Sequence, residues 1–142
     1  MRKVILLFCL SVFATVCSLA QSASHTVVLS NIANKKGQAY VAWYKTDSLF
    51  MDESRYFLRK IVDINGASEL KIPFSDIRAG IYAIAVFIDA NGNGKLDKGM
   101  FGIPKENYGF SNNIYPATRA ATFQEASFEV GDHAETINIR LK

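Results

Sequence analysis

The chain has 142 residues, of which 49% are hydrophobic and 20% charged, with only nine glycines and three prolines. Such a composition excludes a disordered, collagen-like or low-complexity chain, and the length suits one domain with a core of its own. The net charge of +3 is too small to point to nucleic acid or to an anionic membrane surface.

The N-terminal residues read as a leader rather than as part of the fold. Arg2 and Lys3 precede a nearly unbroken apolar run from Val4 to Val16, and Ser18-Leu19-Ala20 places small residues before a cut ahead of Gln21. This is the secretory signal pattern, and the run is too short to span a bilayer comfortably. A lipoprotein leader is disfavoured because Val16, not a small residue, precedes Cys17. The expected organisation is therefore a signal peptide over 1–20 and one domain over 21–142, exported to the periplasm or beyond the cell, with no transmembrane segment after cleavage. Cys9 and Cys17 leave with the leader, so neither a disulfide nor a cysteine metal site is expected. Removing Arg2 and Lys3 leaves fourteen basic against thirteen acidic residues, a net charge of +1.

In the remaining chain the dominant period is two. His25 to Ile32 alternates, with Val27 and Leu29 on one face; Asn34-Lys35-Lys36-Gly37 is a turn, and Gln38 to Tyr44 is a strand rich in β-formers. Thr46 to Leu58 keeps no convincing period and reads as a connection with one helical turn. Arg59–Ile64 and Ala67–Phe74 flank Asn65-Gly66, a pair suited to a two-residue hairpin turn. Ala126–Val130 and Glu135–Leu141 around Gly131-Asp132 predict a final hairpin, with Ile137, Ile139 and Leu141 inward. About seven short strands joined by turns predict an all-β chain: a single antiparallel β-sandwich.

Ile81 to Ile88 is apolar on both faces, so something must cover its outer side. Residues 90–120 carry no strong pattern, and loops this long are usually functional or held in place. Met100, Phe101, Ile103, Tyr108, Phe110 and Tyr115 give this segment enough apolar surface to lie back on the strand as a lid.

The loop opens with Asp89-Ala90-Asn91-Gly92-Asn93-Gly94-Lys95-Leu96-Asp97. Counting from Asp89, side-chain oxygens fall at positions one, three, five and nine, and Gly94 at six. That spacing resembles the first part of a calcium loop, to which the Lys95 carbonyl adds a ligand. Met100 stands at position twelve, where an EF-hand has its bidentate Glu, so Glu106 is the candidate to close the shell. Calcium at Asp89, Asn91, Asn93, Lys95, Asp97 and Glu106 is expected to bind at ~0.1–1 mM, as in extracellular modules. The competing reading is a set of Asx-turns without metal.

The run from Tyr82 through Asp89–Asp97 to Gly102-Ile-Pro-Lys-Glu106 and Tyr108-Gly-Phe-Ser-Asn-Asn113 resembles the DUF2141 family of exported bacterial proteins. The likeness implies secretion and a single β-domain but no particular reaction; Ile88 stands where members usually carry His or Asp. Gly80-Ile81-Tyr82, leading into the central strand, also resembles transthyretin-like and carboxypeptidase-regulatory-type sandwiches, which gives an Ig-like or transthyretin-like expectation for the fold.

Tyr108, Phe110, Asn112 and Asn113 combine rings and amides in a way that suits a sugar or peptide platform, or else anchor the loop. Catalytic signatures are weak. His25 and His133 lack metal-ligand spacing and read as surface or turn residues, and Ser111 lacks the Gly-x-Ser-x-Gly elbow. The function expected is a non-enzymatic exported module whose calcium-held loop presents a binding surface, its partner a glycan or an envelope protein. The alternatives are a small glycan-active enzyme using Asp89, Asp97 or Glu106, or a structural part of an envelope complex.

Overall fold

A computed structural model describes residues 23–142, and the leader reading of residues 1–20 lies outside them. The described residues form eight strands: β1 Ala23–Ser30, β2 Gln38–Tyr44, β3 Leu58–Asp63, β4 Leu70–Ile77, β5 Gly80–Asp89, β6 Tyr108–Phe110, β7 Phe128–Val130 and β8 Thr136–Arg140. One short helix, α1, spans Phe123–Ala126 and is closed by a capping box between Thr122 and Glu125. Among the described residues no helix is long and apolar enough to cross a membrane.

The strands form two sheets. One has the order β4-β1-β8; the other has the order β3-β2-β5-β6, with β7 also paired to β5. Alternation explains the burial. Val27 and Leu29 of β1, Val41 and Trp43 of β2, Ile72 and Phe74 of β4, Ile84 and Val86 of β5, and Ile139 of β8 turn to one shared core. The sheets also meet at an edge, where Tyr108 and Lys142 exchange backbone hydrogen bonds of 3.2 and 2.9 Å.

Three expectations change here. The pairing is not antiparallel throughout, because β1 and β8 run parallel, with Val27 opposite Ile137. Neither expected hairpin pairs with itself. Asn65 and Gly66 do adopt positive φ, and the Ala67 N–H donates to the Ile64 carbonyl at 2.9 Å, so the turn forms as read. Its strands then part, β3 to β2 and β4 to β1. β7 and β8 likewise join different partners. A period of two sets which face is buried but leaves the partner strand open. His25 is neither a surface nor a turn residue: it lies on the core side of β1, fully buried, with its ring 6.3 Å from that of Trp43.

The outer side of β5 is covered, though by less of the loop than expected. Ala83 packs with Phe110, Ala121 and Ala126, and Phe50, Ile114 and Phe123 surround them. Ser111, fully buried, fills the gap between β6 and β7: its Oγ accepts the Ile84 N–H at 2.9 Å and donates to the Ala126 carbonyl. Met100, Phe101 and Ile103 take no part in this cover and are exposed.

Candidate metal centre and the adjoining slot

β5 delivers Asp89 to the mouth of the loop, where the chain turns sharply at Gly92 and Gly94, both with positive φ. The Asp89 carboxylate is buried. Its Oδ1 accepts the N–H groups of Gly92 (2.7 Å) and Asn93 (3.2 Å), and its Oδ2 accepts that of Gly94 (2.7 Å). Burial pushes this carboxyl up, but the N–H groups of Gly94, Gly92, Asn93 and Asn91 outweigh it and hold it below the ordinary range. Gly37 backs the site: a Cβ there would lie 2.0 Å from the Asp89 carbonyl oxygen, so only glycine admits this approach.

The loop closes around a second carboxylate. Asn91 Nδ2 donates to Asp97 Oδ2 at 2.6 Å, and Asn93 Nδ2 to Asp97 Oδ1 at 2.9 Å. Asn91 Oδ1 accepts the Asn93 N–H and Asn93 Oδ1 the Lys95 N–H, both as Asx-turns. Glu106 reaches back from the far strand of the loop, its Oε1 accepting the Ala90 N–H at 2.9 Å and its Oε2 the Asp97 N–H at 3.0 Å. The structure thus links Asp89, Asn91, Asn93, Asp97 and Glu106 in one hydrogen-bonded ring, which Lys95 joins through its N–H. Among the described residues, no group of three or more His, Cys, Asp or Glu side chains converges as a metal cluster. None of the ion pairs among them includes Asp89, Asp97 or Glu106.

The amides expected beside Tyr108 and Phe110 are spent elsewhere. Asn112 Nδ2 donates to the Glu125 and Ser127 carbonyls; Asn113 donates to the Asn138 carbonyl and accepts the Arg140 N–H. Both residues have positive φ, which asparagine tolerates. They fasten the loop to its neighbours and form no platform with the rings.

Tyr108 and Phe110 instead line a slot on the outer face of the larger sheet. Register places Ile61, Tyr40, Phe87 and Tyr108 in one row across four strands, and Arg59, Ala42, Ala85 and Phe110 in the next. The two alanines make a low floor. Tyr40 and Phe87 stack at 4.7 Å to form one wall, while Tyr44 and Met51 stand opposite. The space is about 80 Å³, room for two or three waters at ~30 Å³ each. Arg59 closes one end over the Tyr56 ring at 4.5 Å, and Gly94, Leu96 and Lys98 bring the loop to the rim. Sequence reasoning missed Tyr40, Ala42, Ala85 and Arg59, since their two adjacent rows follow only from the register of separate strands.

No curated protein and no solved structure matches the chain significantly. The family whose model does match, over residues 27–138, is described as "Uncharacterized protein conserved in bacteria (DUF2141)", and the chain belongs to it.

Proposed function

We propose that the chain is an exported, non-enzymatic β-sandwich module of Ig-like or transthyretin-like type, whose Asp89–Asp97 loop takes a calcium ion and steadies one rim of an aromatic slot. One observation carries the calcium reading. Three carboxylates, Asp89, Asp97 and Glu106, are joined through one short loop with no ammonium or guanidinium paired to any of them among the described residues. These carboxylates are held by N–H groups rather than by a paired side-chain cation, and hard oxygens of this kind favour calcium. A bound ion replaces the hydrogen bonds that Asn91 Nδ2 and Asn93 Nδ2 donate to Asp97, which frees the Asp97 carboxylate as a ligand.

Export rests on the leader pattern of residues 1–20. The slot is the binding surface, and its open, aromatic-lined floor suits the face of a sugar or an aromatic side chain of an envelope partner.

Thermal unfolding in calcium and in EDTA tests the ion. At a hundred times its Kd a ligand adds about 2.7 kcal/mol, and the Asp97→Ala variant should lose that increment. Equal midpoints for wild type in millimolar calcium and in EDTA would remove the ion from this account.

A further inference from the structure

Beyond the candidate cation loop the chain projects a short hairpin. Lys98 bridges to Pro104, and the Gly99 N–H donates to the Ile103 carbonyl at 2.7 Å, so residues 99–103 form a closed tip. Met100, Phe101 and Ile103 on this tip are 78%, 93% and 63% exposed. Phe101 also has φ +62°, a conformation that bulky residues avoid and that glycine or asparagine adopts readily. It belongs to neither apolar cluster. A large ring held in water on a strained backbone gives the isolated domain nothing, and such strain gathers at functional positions.

The charges around the tip identify what covers it. Lys95, Lys98 and Lys105 are exposed, and none is in an ion pair among the described residues. The stem of Lys105 lies along the turn, with its Cε 3.3 Å from where a Cβ of Gly99 would sit. The neighbouring acids, Asp97 and Glu106, are turned back onto amides and backbone N–H groups. The apolar end thus has Lys98 and Lys105 at the feet of its hairpin and Lys95 exposed on the adjoining loop, while the carboxylates are bonded inward. A protein groove would take the apolar end but has no general need of three ammonium groups around it. Anionic headgroups over an acyl layer use both.

We propose that this tip docks the domain on the surface of an anionic phospholipid bilayer, with Met100, Phe101 and Ile103 entering the interface and the three lysines resting on the headgroups. Local charge, rather than net charge, decides this. The docking does not depend on an ion in the adjacent loop, because the tip is closed by its own bonds.

The test uses residues 21–142, which contain every described strand, carrying Phe101→Trp as a reporter; Trp43 is buried and serves as a constant background. On phosphatidylcholine vesicles containing a quarter of phosphatidylglycerol, the reporter emission should shift to the blue and be quenched by brominated lipid. Each basic residue is worth about fivefold in partitioning. The Lys95→Gln, Lys98→Gln, Lys105→Gln triple variant should therefore partition roughly a hundredfold more weakly, with an unchanged circular dichroism spectrum. An emission unmoved by saturating vesicles, or a triple variant that partitions like its parent, overturns the proposal. A dimer that is lost on Phe101→Ser, in a chain that ignores vesicles, would assign the tip to a second copy instead.

Discussion

Asp89→Ala, measured in EDTA so that no cation contributes, isolates the hydrogen bonds that organise the loop. The substitution removes the acceptor for the N–H groups of Gly92, Asn93 and Gly94. A hydrogen bond to a charged group contributes ~1.5–3 kcal/mol, and an orphaned N–H costs most where water cannot reach it. Gly94 is half-buried, so its bond is lost nearly in full; Gly92 and Asn93 are exposed and recover water. The expected sum is about 3 kcal/mol, or roughly 10 °C in Tm for a domain of this size. Asp89→Asn keeps one side-chain oxygen and should lose about half as much. The carboxyl is held below its ordinary range, so its contribution is present above an unfolded value of about 3.9 and fades as pH falls through the folded value. Below that range the variant and the wild type should converge. Circular dichroism melts across pH check both points. A loss under ~0.5 kcal/mol at neutral pH would mean that the loop opens without any effect on the fold, and the reasoning would fail.

Burial lowers the pKa of His25, with Glu135 raising it and His133 lowering it further, and neither ring nitrogen has a hydrogen-bond partner among the described residues. Its folded value lies below the unfolded one, so stability is full above about pH 6.5 and declines as pH falls; urea denaturation at pH 7 and pH 5 should show that decline shrinking in His25→Phe. Gly109→Ala places a Cβ 2.7 Å from Leu141 Cδ2 and 2.9 Å from Ile139 Cγ2, and should cost about 1–3 kcal/mol in the same assay.

What the sequence makes legible is whatever its neighbours in the chain decide. β2 stands where its β-formers place it, and the turn at Asn65-Gly66 follows from two residues that accept positive φ. The ring of bonds around Asp89 and Asp97 is equally local, built from a nine-residue spacing of oxygens and glycines. Pairing is another matter. Ile137 and Ile139 of β8, and Leu141 just after it, do turn to the core, yet nothing in that alternation says that the neighbour of β8 is β1 running parallel. His25 misleads for a related reason: a polar ring in an alternating strand reads as solvent-facing until its companions Val27 and Leu29 are seen to be core. The slot is the least legible feature, since Ala42 and Ala85 become a floor only once two distant strands are in register.

The exposed tip needs a firm base if its apolar residues are to be presented rather than to fold back, and the sequence supplies three supports. At the start, Asp89 ends a strand anchored in the core through Ile84, Val86 and Ile88, with Gly37 pressed against its carbonyl. At the return, Glu106 spans both arms of the loop through Ala90 and Asp97, and the Lys105 N–H bonds the Asp97 carbonyl at 2.8 Å. Further on, the Asn107 carbonyl accepts the Ile88 N–H at 2.8 Å, and Asn112 and Asn113 fasten the segment to α1 and β8. Residues 99–103 lie beyond these supports, and there Met100, Phe101 and Ile103 stand exposed together. Asparagine and glycine elsewhere in the segment relieve the turns they occupy, whereas Phe101 occupies a turn at a conformational cost. Glycine would adopt this conformation without that cost, and the docking proposed for the tip is what would offset it.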